Sequence, residues 1–258
     1  MNKFRFSKAL LPLFFIFGCS VKEVRDGCPC RLLLDMTSVD KVDQSPFTLF
    51  IASKVGFEYS TVMDGDICDD TCVVEVPRTK LDVVLWSGDE GRMDNNGLVI
   101  PFGQQCPRIY MYATEIDADG ELIYNRVALK KNYCLLSVSV EDPHEVSGMK
   151  ISGGVDGFDK LGRPHCGEFS VFSPISMEYS SSAVFSIPRQ DGGPLYLELI
   201  EPEDKIRRLP LHDYIFELGY DWMAKDLNDL NMVVSYTPVG VTVNIKSWDE
   251  ELIVDVVI

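Results

Sequence analysis

Eight cysteines, three histidines and several clustered carboxylates are the side chains of this sequence that could do chemistry. Their spacing supports little of it. Nucleophilic catalysis needs a nucleophile tied to a base, yet no Gly-x-Ser-x-Gly occurs and nothing links a Ser to a His. His144, His165 and His212 are isolated in segments that read as loops, which suits surface or capping roles. No Walker loop or dinucleotide fingerprint is present. Gly153-Gly154-Val155-Asp156-Gly157 lacks a following Lys and helix, so it reads as a loop. Asp117-Ala118-Asp119-Gly120-Glu121 opens like a calcium loop. Leu122 stands where the sixth-position Gly belongs, however, and Ala128 where the distal Glu belongs. A tight hairpin turn explains those residues better. Asp64, Asp66, Asp69 and Asp70 read as a solvated acidic loop, and no two-His-plus-carboxylate spacing appears. The reading is therefore a non-enzyme with no catalytic residue, no metal site and no small-molecule substrate.

One cysteine has a definite chemistry. Lys3, Arg5 and Lys8 precede the apolar run Ala9 to Phe17, which is too short to cross a bilayer of about 30 Å as a helix. Ile16-Phe17-Gly18-Cys19 follows and resembles a bacterial lipobox, with Phe17 bulkier than the small residue usual there. The expected events are removal of residues 1–18 and acylation of Cys19, whose covalent lipid stands in place of any cofactor. Lipidation of Cys19 leaves seven of the eight cysteines, an odd number. Cys68 and Cys72 are the best local disulfide candidates. Cys28 and Cys30 would share one face of a strand, and Cys106, Cys134 and Cys166 suit small apolar core positions.

The elements that carry these residues read as strands. Phe47–Ile51, Leu81–Trp86, Arg108–Tyr112, Leu135–Val140, Leu195–Leu199 and Val241–Ile245 are rich in β-branched and aromatic residues. Turn signals separate them at Asp119-Gly120, Ser152-Gly153-Gly154 and Asp191-Gly192-Gly193-Pro194. Leu211 to Phe216 suits a short helical turn lying on a sheet. Repeated βαβ units are absent, so a mostly-β fold of tandem sandwiches is expected. The division is a signal peptide at 1–18, a lipid-anchor spacer at 19–27, and sandwiches at 28–128 and 129–258. Residues 111–112 and 123–124 are expected to form the hairpin that closes the first.

The formal net charge of -16 becomes -19 when the leader takes Lys3, Arg5 and Lys8 with it. Such a balance excludes nucleic acid as a partner, because phosphate contacts need clustered Lys and Arg. It also opposes an anionic membrane surface, so the lipid alone must hold the chain there.

Two segments then carry a family resemblance. Asp26-Gly27-Cys28-Pro29-Cys30-Arg31-Leu32-Leu33-Leu34-Asp35 follows the lipobox. Near the other end come Leu209-Pro210-Leu211, Tyr214-Ile215, Asp221-Trp222, Asp226-Leu227, the strand Val241–Ile245 and Trp248. In that order they resemble the FimB-type fimbrial anchor lipoproteins of Bacteroidales. The resemblance implies two transthyretin-like β-sandwich domains on an outer-membrane surface lipoprotein. It also implies a role in anchoring the base of a fimbria, in fimbrial assembly and adhesion, and a fimbrial subunit as partner.

Strand edges present unpaired backbone groups that another chain's strand can complete. The β-forming segment Glu251 to Ile258 offers Leu252, Val254, Val256 and Ile258 as strand contacts for a pilin, although it equally suits the last strand of its own sandwich. The alternative function is a surface glycan-binding lipoprotein with Trp86, Trp222 and Trp248 as sugar platforms; buried indoles would remove its site.

Overall fold

The structure, a computed structural model, describes residues 28–39, 46–63, 70–88, 97–141, 146–175, 182–201, 203, 205–237, 240–246 and 251–257. The first half runs β1 (Cys30–Asp35), β2 (Phe47–Ser53), β3 (Glu58–Met63), β4 (Thr71–Val76), β5 (Lys80–Ser87), β6 (Gly97–Val99), β7 (Tyr110–Asp117) and β8 (Leu122–Arg126). Then come β9 (Lys130–Lys131), β10 (Tyr133–Glu141), β11 (Gly148–Asp159), β12 (Pro164–Pro174), β13 (Ser182–Pro188), β14 (Leu195–Ile200) and β15 (Ile206–Leu209). Helix α1 (Leu211–Glu217) precedes β16 (Leu230–Thr237), β17 (Gly240–Lys246) and β18 (Glu251–Val257). The chain is thus mostly β, and every strand segment read from the sequence is present. Among the described residues no helix is long and apolar enough to cross a membrane.

Four sheets form, ordered β4-β1-β8, β3-β2-β5-β7-β9, β13-β10-β16-β17-β18 and β12-β11-β14-β15. The first two face each other over Leu32, Leu34, Leu49, Ile51, Val74, Val83 and Leu85. The last two close over Leu136, Val138, Ile151, Phe169, Phe185, Leu197 and Val243. Helix α1 buries Leu211, Tyr214 and Ile215 in that second core.

At its centre the sheet β3-β2-β5-β7-β9 is buried on both faces, while its edge strand β3 is exposed or half-buried. Leu49, Ile51, Val83 and Leu85 point into the first core, whereas Phe50, Val84, Trp86 and Met111 point into the second. This is why Leu49-Phe50-Ile51 and Val83-Val84-Leu85-Trp86 read as continuous apolar runs rather than alternating ones. A solvent face would have selected polar residues at the even positions. Full burial of a side chain such as Phe50 or Trp86 is worth about 2–3 kcal/mol over exposure.

Two strands cross position 128–129. β6 from the earlier half pairs with β11, and β9 from the later half pairs with β7. Lys160 extends this seam with an ion pair to Asp82 at 3.0 Å. Gly162 lies so close to Met111 that an added Cβ would come within 2.8 Å of its Sδ.

Two local expectations fail. β7 and β8 do not form a hairpin: β7 pairs with β5 and β9, while β8 leaves to pair in parallel with β1. The reason is Ala118, which is fully buried and donates its N–H to the Thr79 carbonyl at 3.0 Å. The Asp117–Glu121 segment is therefore a corner between two sheets. Gly153–Gly157 is likewise no loop but the bulged interior of β11, with register shifts at Gly153/Val155 and Val155/Gly157. Glycine is required there by proximity. A Cβ on Gly157 would lie 1.9 Å from the Leu98 carbonyl oxygen, so only Gly lets β6 pair alongside.

Gly157→Val should therefore detach β6 from β11 and lower stability by about 2–4 kcal/mol, read from urea unfolding. A second test concerns Asp35, which joins β1 to β8. Its carboxylate accepts from the Thr37 hydroxyl at 2.6 Å, from the Tyr124 hydroxyl, and from the Thr37 N–H at 2.9 Å. Those bonds, the Thr37 hydroxyl first, hold its pKa down at about 2. The folded pKa lies below the ordinary value, so the stabilisation is present above about pH 4 and disappears as pH falls through about 2. Asp35→Asn should lower the urea midpoint at neutral pH and flatten its fall between those two values.

Candidate functional site

β18 closes one side of the sheet β13-β10-β16-β17-β18. It pairs antiparallel with β17, from Lys246↔Glu251 to Gly240↔Val257. Leu252 and Val254 are half-buried and pack against the second core, while Ile253 between them is 63% exposed. The period of two thus puts Leu252 and Val254 on one face, with their own sandwich beneath them. The side chain of Val256 and the whole of Ile258 lie outside the described residues. Among the described residues nothing pairs with the outer edge of β18, and α1 contacts the strand.

The sequence-predicted chemical residues do not converge. Cys19, the spacer 20–27, Cys68, His144 and Trp248 lie outside the described residues, as do Asp64, Asp66 and Asp69 of the acidic loop. Cys28 is exposed ahead of β1 while Cys30 is fully buried, so the two do not share a strand face; the strand begins only at Cys30. Cys106 and Cys134 are core residues, as their size suggests. Cys166 is exposed instead, in the bulged stretch where β12 pairs with β11. Burial pushes the Cys134 thiol up to about 12, which leaves it protonated and unreactive at neutral pH. His165 belongs to β12, not to a loop, and its Nδ1 lies 2.6 Å from Asp156 Oδ1. His212 is in α1, stacked on Phe216. Among the described residues no group of His, Cys, Asp and Glu could hold a metal ion. Trp86 is buried, and Trp222 is half-buried with its edge against Tyr220 at 4.8 Å between centroids.

A polar knot that the sequence does not announce lies at the seam between the halves. Arg189 is only 5% exposed, and no carboxylate of the described residues bonds it. Its guanidinium donates to the carbonyls of Lys131 at 2.7 Å, Ala224 at 2.8 Å, Lys225 at 3.4 Å and Trp222, and to Asn132 Oδ1 at 3.2 Å. Lys131 ends β9, Asn132 links it to β10, and residues 222–225 belong to the loop after α1. One side chain therefore ties three segments together. Beside it, Lys131 Nζ meets Asp229 Oδ1 at 2.7 Å, and the same oxygen accepts the Leu135 N–H at 2.8 Å. The Tyr220 hydroxyl donates to the Asn228 carbonyl at 2.6 Å, and burial raises its pKa. A fixed planar fork of five donors suits a nest of carbonyls, which is why Arg occupies the position rather than Lys. No short-range sequence pattern marks Arg189, because its acceptors lie 33 or more residues away or on the far side of β10.

The fold is shared with solved structures. The fimbrial anchor protein Mfa2 from Porphyromonas gingivalis aligns with a TM-score of 0.58 and 13% identity, over 87% of this chain and 99% of its own. A putative polysaccharide-binding protein from Bacteroides thetaiotaomicron aligns with a TM-score of 0.60 and 13% identity, over 84% and 98%. A putative adhesin from Bacteroides ovatus aligns with a TM-score of 0.60 and 9% identity, over 88% and 95%. These likenesses establish a common β-sandwich architecture over nearly the full length of each protein. No protein-family model matches the chain, and no curated protein matches it in sequence.

Arg189→Met should leave that nest of carbonyls without donors and destabilise the protein by about 3 kcal/mol, with Arg189→Lys recovering only part of the loss. Thermal and urea unfolding of the three proteins measure it.

Proposed function

We propose that this chain is a lipid-anchored adaptor of the outer membrane, exposed at the cell surface. It holds the base of a fimbria and takes part in its assembly through β-strand contacts with a pilin. The observation that carries the reading is the fold shared with a fimbrial anchor protein over 87% of this chain. The lipobox-like run ending at Cys19 supports it, because it supplies an anchor where no described helix can. Eight residues separate Cys19 from Cys28. The spacer 20–27, extended, reaches at most about 28 Å, so the sandwiches would sit close to the membrane. Acyl chains on one cysteine hold better together than a single chain, whose binding is marginal. The edge of β18 supplies a surface that a partner strand can extend.

On this reading the protein performs no catalysis and carries no cofactor apart from the acyl lipid. The glycan-binding alternative draws on the likeness to a putative polysaccharide-binding protein. Trp86 is buried and so takes no part in a sugar platform, Trp222 is half-buried, and Trp248 lies outside the described residues.

Cys19→Ala should release the protein, and assembled fimbriae with it, from the cells into the medium. Immunoblots of cell and medium fractions, with electron microscopy of the cells, measure both. Retention of the mutant protein and of the fimbriae would end the anchoring proposal.

A further inference from the structure

Three sheets turn an outer face to solvent, and the chemistries of those faces differ. That of β12-β11-β14-β15 is charged, with Glu198 bridging Lys150 at 3.0 Å and Arg208 at 3.4 Å. That of β13-β10-β16-β17-β18 is polar and neutral along its middle, where Ser137, Ser139, Asn231 and Asn244 alternate with core positions. The outer face of β4-β1-β8 is apolar at its centre. Leu33 of β1 lies opposite Val73 of β4 and Tyr124 of β8, so one apolar row crosses all three strands. Val73 is 46% exposed and Tyr124 62%, and Leu122 on the same face is 59% exposed. Charges flank the row in balance. Arg31 and Arg126 stand against Glu75 and Asp35, and Asp35 already accepts from Thr37 and Tyr124. The face is therefore neutral on a chain of net charge -16.

Size and place in the chain decide what covers this face. A few apolar side chains fall well short of the roughly 800 Å² per partner that a stable protein contact buries. That disfavours a second copy or another protein arriving from solution. β1, the central strand of the sheet, is the first strand of the chain, and Cys30 at its start stands eleven positions after Cys19. An extended chain of that length reaches at most about 40 Å, enough slack for the whole face to come down on a bilayer that holds the anchor. The tether makes this contact intramolecular, at an effective concentration on the order of millimolar, so a weak apolar patch suffices. We propose that the outer face of β4-β1-β8 lies on the lipid surface to which Cys19 is attached, and so fixes how the sandwiches stand on it. The inference rests on the anchoring reading above and adds which face meets the lipid. Val73 and Leu122 meet the acyl boundary, and the Tyr124 ring suits the headgroup level. Arg31 and Arg126 reach headgroup phosphates with their stems laid along the apolar surface. A neutral face also turns the negative charge of the rest of the chain away from an anionic surface. The acyl group does the holding, and the face sets the pose.

The test uses the acylated protein reconstituted in vesicles of phosphatidylethanolamine and phosphatidylglycerol whose brominated acyl chains quench a fluorophore at short range. A fluorescent amino acid replaces Val73 or Leu122, or else Val62, Val184 or Ile253 on other surfaces, all of them exposed. Quenching at 73 and 122 should exceed that at the other three positions at least threefold. Leu122→Glu should halve the quenching at 73 while flotation with the vesicles is unchanged, as a contact held by the apolar row requires. Equal quenching at all five positions overturns the inference and leaves the anchor standing. So does quenching at 73 that ignores Leu122→Glu, and so does its absence at 73 and 122, the result expected if a second copy covers the face. Protein isolated from cells with no acyl group on Cys19, read by mass spectrometry, overturns both readings together.

Discussion

The structure depends on one sheet whose central strands have no solvent face. β3-β2-β5-β7-β9 buries Leu49, Ile51 and Leu85 on one side and Phe50, Val84 and Trp86 on the other. A sheet covered on both sides must be apolar along its whole length, and it obliges two layers of structure to close over it. The first layer is β4-β1-β8. The second is an entire sandwich from the later half of the chain. The first half keeps a core of its own, and the opposite face of the same sheet is completed by the second half.

The seam is secured by groups that act at short range. β6 reaches across to β11 only because Gly157 leaves room for its backbone. Arg189 satisfies its donors on carbonyls rather than on an acid, so its charge remains dispersed over several dipoles and the segments around it are held in register. A buried cation without a carboxylate is costly, and it persists where the surrounding backbone offers a ready-made set of acceptors. The same economy appears at the sheet edges. Gln105 imitates a strand with one side-chain amide, which closes an edge without adding a strand.

Much of the fold is legible in the residues. β-branched and aromatic runs bounded by Gly, Asp and Pro mark the strands at Leu81–Trp86, Leu135–Val140 and Val241–Ile245, and each is found there. Leu211–Phe216 announces α1 through its apolar spacing. The errors share one cause. Gly153–Gly157 looks like a turn because glycine has two uses, freedom of backbone and absence of side chain, and a sequence does not say which applies. Asp117–Glu121 looks like a hairpin because its composition suits a turn, whereas the burial of Ala118 decides that it turns a corner between sheets.

The candidate site divides in the same way. The lipobox-like leader, the acidic balance and the β-forming end of the chain are properties of contiguous residues, and the sequence by itself determines them. It determines equally the absence of any spacing fit for nucleophilic or nucleotide chemistry. Which sheet edge stays open was decided only by tertiary structure. Gln105 lies 79 residues from Val184 and Arg189 lies 58 from Lys131, and no local pattern links either pair. Hydrogen bonds made at such separations come into being when sheets pack, and only then does β18 become an edge with no partner among the described residues.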